Sequence, residues 1–264
     1  MNSGHFDRLS QRYDRYRTLD YEPVQYLASK LPRCEHTICD LGCGTGRYLF
    51  ALIEHLQAKR DPVKRAYGVD KSPSMLQTTR KSAESLETRI SWIESTAEKT
   101  GLASASVSLV IAFNAIQHFS IRETLDEVAR VARPKALFAV YTRLRKQEAE
   151  HVWGRLFPGY LDYSVNPARD SMLSFPKQNE RFSLVDTRDF TFWRKTTLTE
   201  IREQAENRFY STLARYPDVE FEGAYETFVA NLKANFEDPE RIVYASTYSM
   251  FLYRVEPSAS GYGR

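Results

Sequence analysis

The 264-residue chain reads as an α/β protein built on a doubly wound, seven-stranded, mostly parallel sheet. Three observations predict this. Apolar runs alternate with helical patterns from residue 36 to residue 141. The runs are near-continuous, as in strands covered on both faces, rather than alternating. A glycine-rich turn, Asp40-Leu41-Gly42-Cys43-Gly44-Thr45-Gly46, joins the first strand to the helix after it.

The elements follow in order. Residues 1–33 read as helical, with Phe6, Leu9, Tyr13, Tyr16 and Arg17 near helical spacing and a second helix from about Glu22 to Leu31 that Pro32 ends. Strand 36–41 precedes helix 46–58, and strand 65–70 precedes helix 73–86, for which Ser72 is the N-cap and Pro73 the first helical residue. Strands then fall at 89–94 and 107–113. Helix 121–133, with Leu125, Val128, Ala129 and Ala132 on its apolar face, leads to strand 136–141. Right-handed crossovers make such a sheet doubly wound. They place its ligand at the carboxyl ends of the strands, beside the first.

The pattern changes after Lys146. Of 34 aromatic residues, 13 stand in residues 1–150 and 21 in residues 151–264. The second part reads as short helices, a strand near 182–194, helices near 197–208 and 218–236, and a strand from Ile242 to Tyr253. The last two strands complete the sheet, and the aromatic-rich helices between them form a cap over its ligand end. The expected organisation is N-terminal helices at 1–33, an α/β core at 34–146, a C-terminal part at 147–256 and a mobile tail at 257–264.

Composition narrows the class. Hydrophobic content of 42% and charged content of 27% are globular values, and a net charge of +3 neither demands nor excludes a nucleic-acid partner. No apolar run approaches a membrane span, and the first residues lack the apolar stretch of a signal peptide. Three cysteines, Cys34, Cys39 and Cys43, are too few for a disulfide framework, which suggests a cytoplasmic setting. With His36 among them their spacing matches no zinc pattern, so no metal is expected.

The glycine turn points to a nucleotide-like ligand. Glycine admits positive φ and close approach of backbone to ligand. The helix start behind it presents N–H groups and a positive dipole end. The dinucleotide fingerprint G-x-G-x-x-G fails in both registers, since Arg47 and Leu49 stand where its third glycine belongs. Asp70 ends the second strand, 24 residues beyond Gly46. It either caps the following helix or accepts hydrogen bonds from ribose hydroxyls, and its place after the turn favours the ribose. Asp40, at the end of a buried strand, is costly unless paired. Ordering the loop, or meeting an ammonium group through water, would offset that.

Asp40-x-Gly42-x-Gly44-x-Gly46 followed by Gly68-Val69-Asp70-Lys71-Ser72-Pro73-Ser74-Met75-Leu76 resembles the class I S-adenosylmethionine-dependent methyltransferases, of the type acting on small molecules. The resemblance covers roughly residues 6–142. It takes in Ser95-Thr96-Ala97-Glu98, Phe113-Asn114-Ala115-Ile116-Gln117-His118-Phe119 and Ala129-Arg130-Val131-Ala132-Arg133-Pro134, and Phe6-Asp7, Tyr13-Asp14 and Arg17 resemble the family's N-terminal lid. It implies a Rossmann-like core with S-adenosyl-L-methionine as cofactor. Gly42, Cys43, Gly44 and Gly46 would cradle the methionine part together with Asp40. Asp70 would hold the ribose, with Lys71 beside it, and Met75 would pack near adenine. Thr96, Ala97 and Glu98 would lie along the adenine edge, with Asn114 beside the methionine portion. Tyr13 and Arg17 would close over the cofactor, Arg17 reaching its carboxylate. The chain departs from the pattern at Thr96, where an acid is frequent, at Ser108, and at Lys135-Ala136, which replace a Gly-Gly pair.

Methyl transfer from a sulfonium needs alignment more than acid–base help. A hydroxyl or carbon acceptor would more often need a base. His118 is the candidate, set against a structural histidine at a helix terminus; Tyr141 and His151 are weaker ones. Trp153, Phe157, Tyr160 and Tyr163 read either as an acceptor pocket or as core. The expected acceptor is a small, partly apolar or aromatic molecule. The runner-up is an RNA or protein acceptor held by a basic rim of Arg143, Arg145, Lys146, Arg194 and Lys195. A third reading is a non-catalytic cofactor-binding protein.

Overall fold

The computed structural model describes residues 18–82, 90–164 and 179–256. The lid residues Tyr13 and Arg17 and the tail 257–264 lie outside these. Seven strands, β1 (His36–Leu41), β2 (Val63–Asp70), β3 (Ile90–Glu94), β4 (Val107–Phe113), β5 (Ala132–Thr142), β6 (Phe182–Thr196) and β7 (Ile242–Val255), form one sheet in the order β3-β2-β1-β4-β5-β7-β6. Pairs β1·β2, β1·β4, β2·β3 and β4·β5 are parallel. All six residues of β1 are buried, as are six of the seven in β4. The strand order reverses between β1 and β4, which opens a crevice beyond their carboxyl ends. Ser108 on β4 accepts from Thr37 N at 2.9 Å and donates to Thr37 O at 3.2 Å, so a hydroxyl serves the strand pair where the family often has an acid.

Nine α-helices are described: α1 (Tyr21–Lys30), α2 (Arg47–Ala58), α3 (Pro73–Ser82), α4 (Ile121–Val131), α5 (Arg145–Glu150), α6 (Val152–Leu156), α7 (Tyr160–Tyr163), α8 (Leu198–Glu206) and α9 (Asp218–Asn235). Among them α2 covers the sheet with Tyr48, Leu49, Leu52, Ile53 and Leu56. Helix α4 is shorter than its pattern predicts, and β5 begins four residues earlier than expected. The cause is local. Arg133 precedes Pro134 and is steered out of the helical region. The carbonyls of Arg130 and Val131 accept from Ala105 N and Ser106 N, at 2.9 and 2.8 Å, instead of continuing the helix. Lys135 takes φ 68°, a glycine's conformation, at the register shift that follows.

The chain divides into two compact units. The first comprises residues 1–142, 170–188 and 250–264, and its core is the sheet with the helices packed on it. In it Glu127 of α4 accepts from Thr100 N, Thr100 Oγ1 and the Arg130 guanidinium, which ties the loop before β4 to the helix. The second comprises residues 143–169 and 189–249. Its core is aromatic: Trp153, Phe157, Tyr160, Tyr216, Phe221 and Phe228 pack with Ile201, Leu213 and Leu232. Thr197 and Glu200 form a reciprocal cap at the start of α8. No described helix is long and apolar enough to cross a membrane.

Candidate active site

The turn after β1 is held from below by β2. Gly42 N and Cys43 N both donate to Val69 O, at 2.8 and 3.1 Å. Gly42, Gly44 and Gly46 have φ of 67°, 53° and 75°. They need glycine for different reasons. A Cβ on Gly42 would stand 2.7 Å from Ala115 Cβ and 3.0 Å from Phe119 Cζ, and one on Gly46 would stand 2.6 Å from Thr79 Cγ2. A Cβ on Gly44 would meet nothing within 4 Å among the described residues. Gly42 and Gly46 are packed against the fold, whereas no described residue packs against Gly44. Gly46 is the N-cap of α2 and brings no side chain to its N–H groups, which suits a negatively charged ligand there.

Asp70 does two jobs in the fold at once. Its Oδ2 accepts from Gly44 N at 2.8 Å and its Oδ1 from Ser72 N at 2.9 Å. One carboxylate therefore shapes the glycine turn and starts α3. Ser72 caps α3 as expected, accepting from Met75 N at 3.3 Å. An ionised carboxylate has about four acceptor positions, so two bonds to N–H groups leave capacity for hydroxyls. Thr79 completes the frame by donating to Gly44 O and Met75 O, each at 2.8 Å.

Asp40 is 3% exposed. Burial, and then the charge of Asp70, push its carboxyl well above the usual carboxylate range. Burial also raises Asp70, but the N–H bonds from Ser72 and Gly44 pull it back. The two acids thus differ in support: N–H bonds stabilise the charged form of Asp70, whereas burial and the charge of Asp70 both disfavour the charged form of Asp40. Burial together with Asp40 and Asp70 raises the Cys43 thiol well above its ordinary value, so it is no nucleophile.

The other predicted residues fall as follows. Met75 and Ala97 are buried and Lys71 is exposed. Ser95 N donates to Asp70 O at 3.1 Å, which sets the 95–98 segment beside the end of β2. Thr96 in it is exposed, and Glu98 accepts from Ser120 N at 2.7 Å, a bond that fixes the entry to α4. Asn114 sits just past β4 at φ 55°, its N–H donating to Tyr141 O at 2.7 Å and its carbonyl accepting from Gln117 Nε2 at 2.7 Å. A non-glycine residue in that conformation is held there by its surroundings. His118 lies on the one-turn helix Ile116–His118, half-buried, with Nε2 3.3 Å from Gln117 Nε2.

Sequence reasoning passed over Tyr48, Phe119 and Thr79. Tyr48 packs 4.7 Å from Phe113 and 6.1 Å from Tyr141 between ring centroids, and Phe113 lies 5.2 Å from Tyr141. The second residue of α2 and the ends of β4 and β5 thereby form one aromatic cluster, with the Arg47 guanidinium 5.0 Å over Tyr48. The periodicity that identified α2 gave no hint that Tyr48 faces these strand ends. Thr79 was detectable as the residue four beyond Met75 on α3.

Trp153, Phe157 and Tyr160, each at most 2% exposed, belong to the core of the second unit, and His151 there stands edge-on to Tyr244 at 5.0 Å. The basic rim fails at Arg143, which is 9% exposed and bonded to Ser246 and Tyr248. It is a buried cation because β5 delivers it straight into that unit. Among the described residues no group of three or more His, Cys, Asp or Glu is placed to hold a metal.

Residues 38–135 match the family model described as a methyltransferase domain. A trans-aconitate 2-methyltransferase of Azoarcus sp. (strain BH72) is 32% identical over 124 residues, covering 47% of this chain and 45% of that relative. The chain thus matches about half the length of that curated relative. A candidate methyltransferase of Bacillus halodurans C-125 superposes with a TM-score of 0.61 at 14% identity over 90% of this chain and 99% of that one. A geranyl diphosphate C-methyltransferase of Streptomyces coelicolor A3(2), solved with Mg2+, geranyl diphosphate and S-adenosyl-L-homocysteine, superposes with a TM-score of 0.53 at 14% identity over 88% and 77%. At these identities the solved structures establish the fold. The fold is that of the Rossmann-like methyltransferases, and residues 38–135 are similar to the methyltransferase domain that the family model describes.

Proposed function

We propose that the chain transfers the methyl group of S-adenosyl-L-methionine to a small, partly apolar acceptor. The observation that carries this reading is the glycine turn locked by Asp70, with space at Gly44 among the described residues and a glycine N-cap at the start of α2 behind it. That frame fits the cofactor. Gly42 to Gly46 and Asp40 would take its amino-acid end, Asp70 the ribose hydroxyls, and Met75 with the Thr96–Glu98 segment the adenine. Asn114 would border the methionine portion, and Tyr13 and Arg17 would close over it. When bound, the cofactor supplies an electrophilic methyl group. The protein's part is to orient it and exclude water.

The relatives' names, trans-aconitate and geranyl diphosphate methyltransferases, both denote small acceptors, which supports a small molecule over a polymer. The burial of Arg143 removes one residue of the basic rim that RNA would need. His118 is the candidate base, with Gln117 beside one ring nitrogen. Calorimetric titration with S-adenosyl-L-homocysteine tests the reading; absence of binding would end it.

A further inference from the structure

The second unit holds an edge strand with an exposed tryptophan. In the strand order β7 flanks β6 on one side, and no described strand flanks it on the other. The part of β6 in this unit, residues 189–196, reads Asp-Phe-Thr-Phe-Trp-Arg-Lys-Thr. It is tied to β7 by Ser249 Oγ, which donates to Asp189 Oδ1 at 2.5 Å, and by the Thr191 and Thr247 hydroxyls, 2.9 Å apart. A sheet edge presents a row of N–H and C=O groups that templates pairing with another chain. Proteins commonly blunt such edges with short strands or proline, yet β6 runs for 15 residues and contains no proline. Asp189, Thr191, Trp193 and Lys195 alternate along it and are all exposed, so they share one face. Trp193 is 74% exposed, and a tryptophan left in water is a large apolar area awaiting cover. Phe192 points to the other face, half-buried, with the Arg194 guanidinium 4.9 Å over its ring.

We propose that this edge pairs antiparallel with the same edge of a second copy of the chain, Phe192 opposite Phe192. Charge argues for both the occupant and the register. A two-fold axis at Phe192 sets Asp189 opposite Lys195 of the second copy, twice over, and Thr191 opposite Trp193. Among the described residues neither Asp189 nor Lys195 makes an ion pair. Moving the axis to Thr191 or to Trp193 sets both charges against neutral residues. Opposite charges directly across an antiparallel pair stabilise it, and like charges destabilise it. Because each copy offers the same patch, the assembly closes at two. The two tryptophans cover at most about 400 Å² of the roughly 1,200–2,000 Å² that a stable interface buries. The dimer is therefore a weak one, of micromolar affinity. It is independent of the methyl-transfer reading.

The test is sedimentation of the full chain from about 1 to 300 µM, a range that brackets micromolar dissociation constants, with each variant's fold checked by circular dichroism. The wild type should pass from monomer to dimer across this range. Trp193→Ser should weaken the dimer about a hundredfold, since a covered tryptophan is lost on each side. Asp189→Lys and Lys195→Glu should each weaken it about tenfold, and the double variant should recover most of that loss. Should Asp189→Lys unfold for want of its bond from Ser249, Lys195→Glu and Trp193→Ser decide, since both side chains are exposed. Crosslinking fixes the register. Cys34 is exposed, whereas Cys39 and Cys43 are buried, so Cys34→Ser supplies the background. There a short bismaleimide should join two copies of Phe192→Cys but not of Asp189→Cys, whose thiols would lie about 20 Å apart. A chain that stays monomeric throughout, assemblies larger than two, a dimer untouched by Trp193→Ser and Lys195→Glu, or crosslinking at 189 without 192 overturns the proposal.

Discussion

Gly44 and Gly42 separate ligand binding from folding, because their missing side chains face different things. Both have positive φ, at 53° and 67°. Alanine at either position pays about 1–2 kcal/mol for the left-handed backbone, offset by about 0.4–1 kcal/mol from a less flexible unfolded chain. For Gly44→Ala nothing within 4 Å is struck among the described residues, so a net loss of about 1 kcal/mol of stability is expected. For Gly42→Ala the new methyl would lie 2.7 Å from Ala115 Cβ and 3.0 Å from Phe119 Cζ. Overpacking of that kind adds about 1–3 kcal/mol, for a total of about 2–4 kcal/mol. Urea unfolding of the two variants should reproduce that order. The order reverses for the ligand. The open space beside Gly44 is where the cofactor's amino-acid end would lie, and a methyl group there should weaken S-adenosyl-L-homocysteine by about a hundredfold or more, which is about 2.7 kcal/mol. Wild-type affinity in a folded Gly44→Ala protein would refute the placement of the cofactor against this turn.

Three further outcomes follow from the acids. Asp40 is raised by burial and by Asp70; a raised carboxyl holds its proton in the folded state where the unfolded chain has lost it, so stability falls as pH rises above the ordinary carboxylate range. Asp40→Asn should abolish that slope, seen as urea midpoints that diverge from wild type as pH rises above about 4, at most 1.4 kcal/mol per pH unit; parallel curves would contradict it. If the cofactor's ammonium ionises Asp40, binding at pH 7 releases a proton, and the calorimetric heat will depend on the buffer's ionisation enthalpy in wild type but not in Asp40→Asn. At Glu127 burial raises the carboxyl, but bonds from Arg130 and Thr100 outweigh it and hold it below the usual range. Its contribution is present at neutral pH and lost as pH falls through the acid range. Glu127→Gln should therefore cost about 1–3 kcal/mol near pH 7 and progressively less under acid; an equal loss at both would argue against the bonded carboxylate.

What was legible in the residues depended on whether one local rule governed the position. Strands β1 and β4 coincide with their expected bounds because a buried parallel strand is a continuous apolar run, and nothing else in the neighbourhood competes for it. The end of α4 was misjudged because its apolar period runs on through Ala132 while Pro134 and the partner backbone of Ala105 and Ser106 pull the chain into β5. No periodicity contains that contest. The glycine turn was legible as a ligand loop, but the reason each glycine is there was not. Ala115, Phe119 and Thr79 are 33 to 77 residues away in the chain from the glycines they meet, and meet the turn only when the sheet forms. Asp70 was read as a choice between capping a helix and meeting a ribose. The structure shows the cap, with Ser72 N donating to one oxygen and Gly44 N to the other, an arrangement compatible with the ribose reading. Arg143 shows the opposite failure. Beside Arg145 and Lys146 it reads as part of a charge run on the surface, yet β5 ends one residue before it, and Ser246 and Tyr248, more than 100 residues onward, take it into the interior.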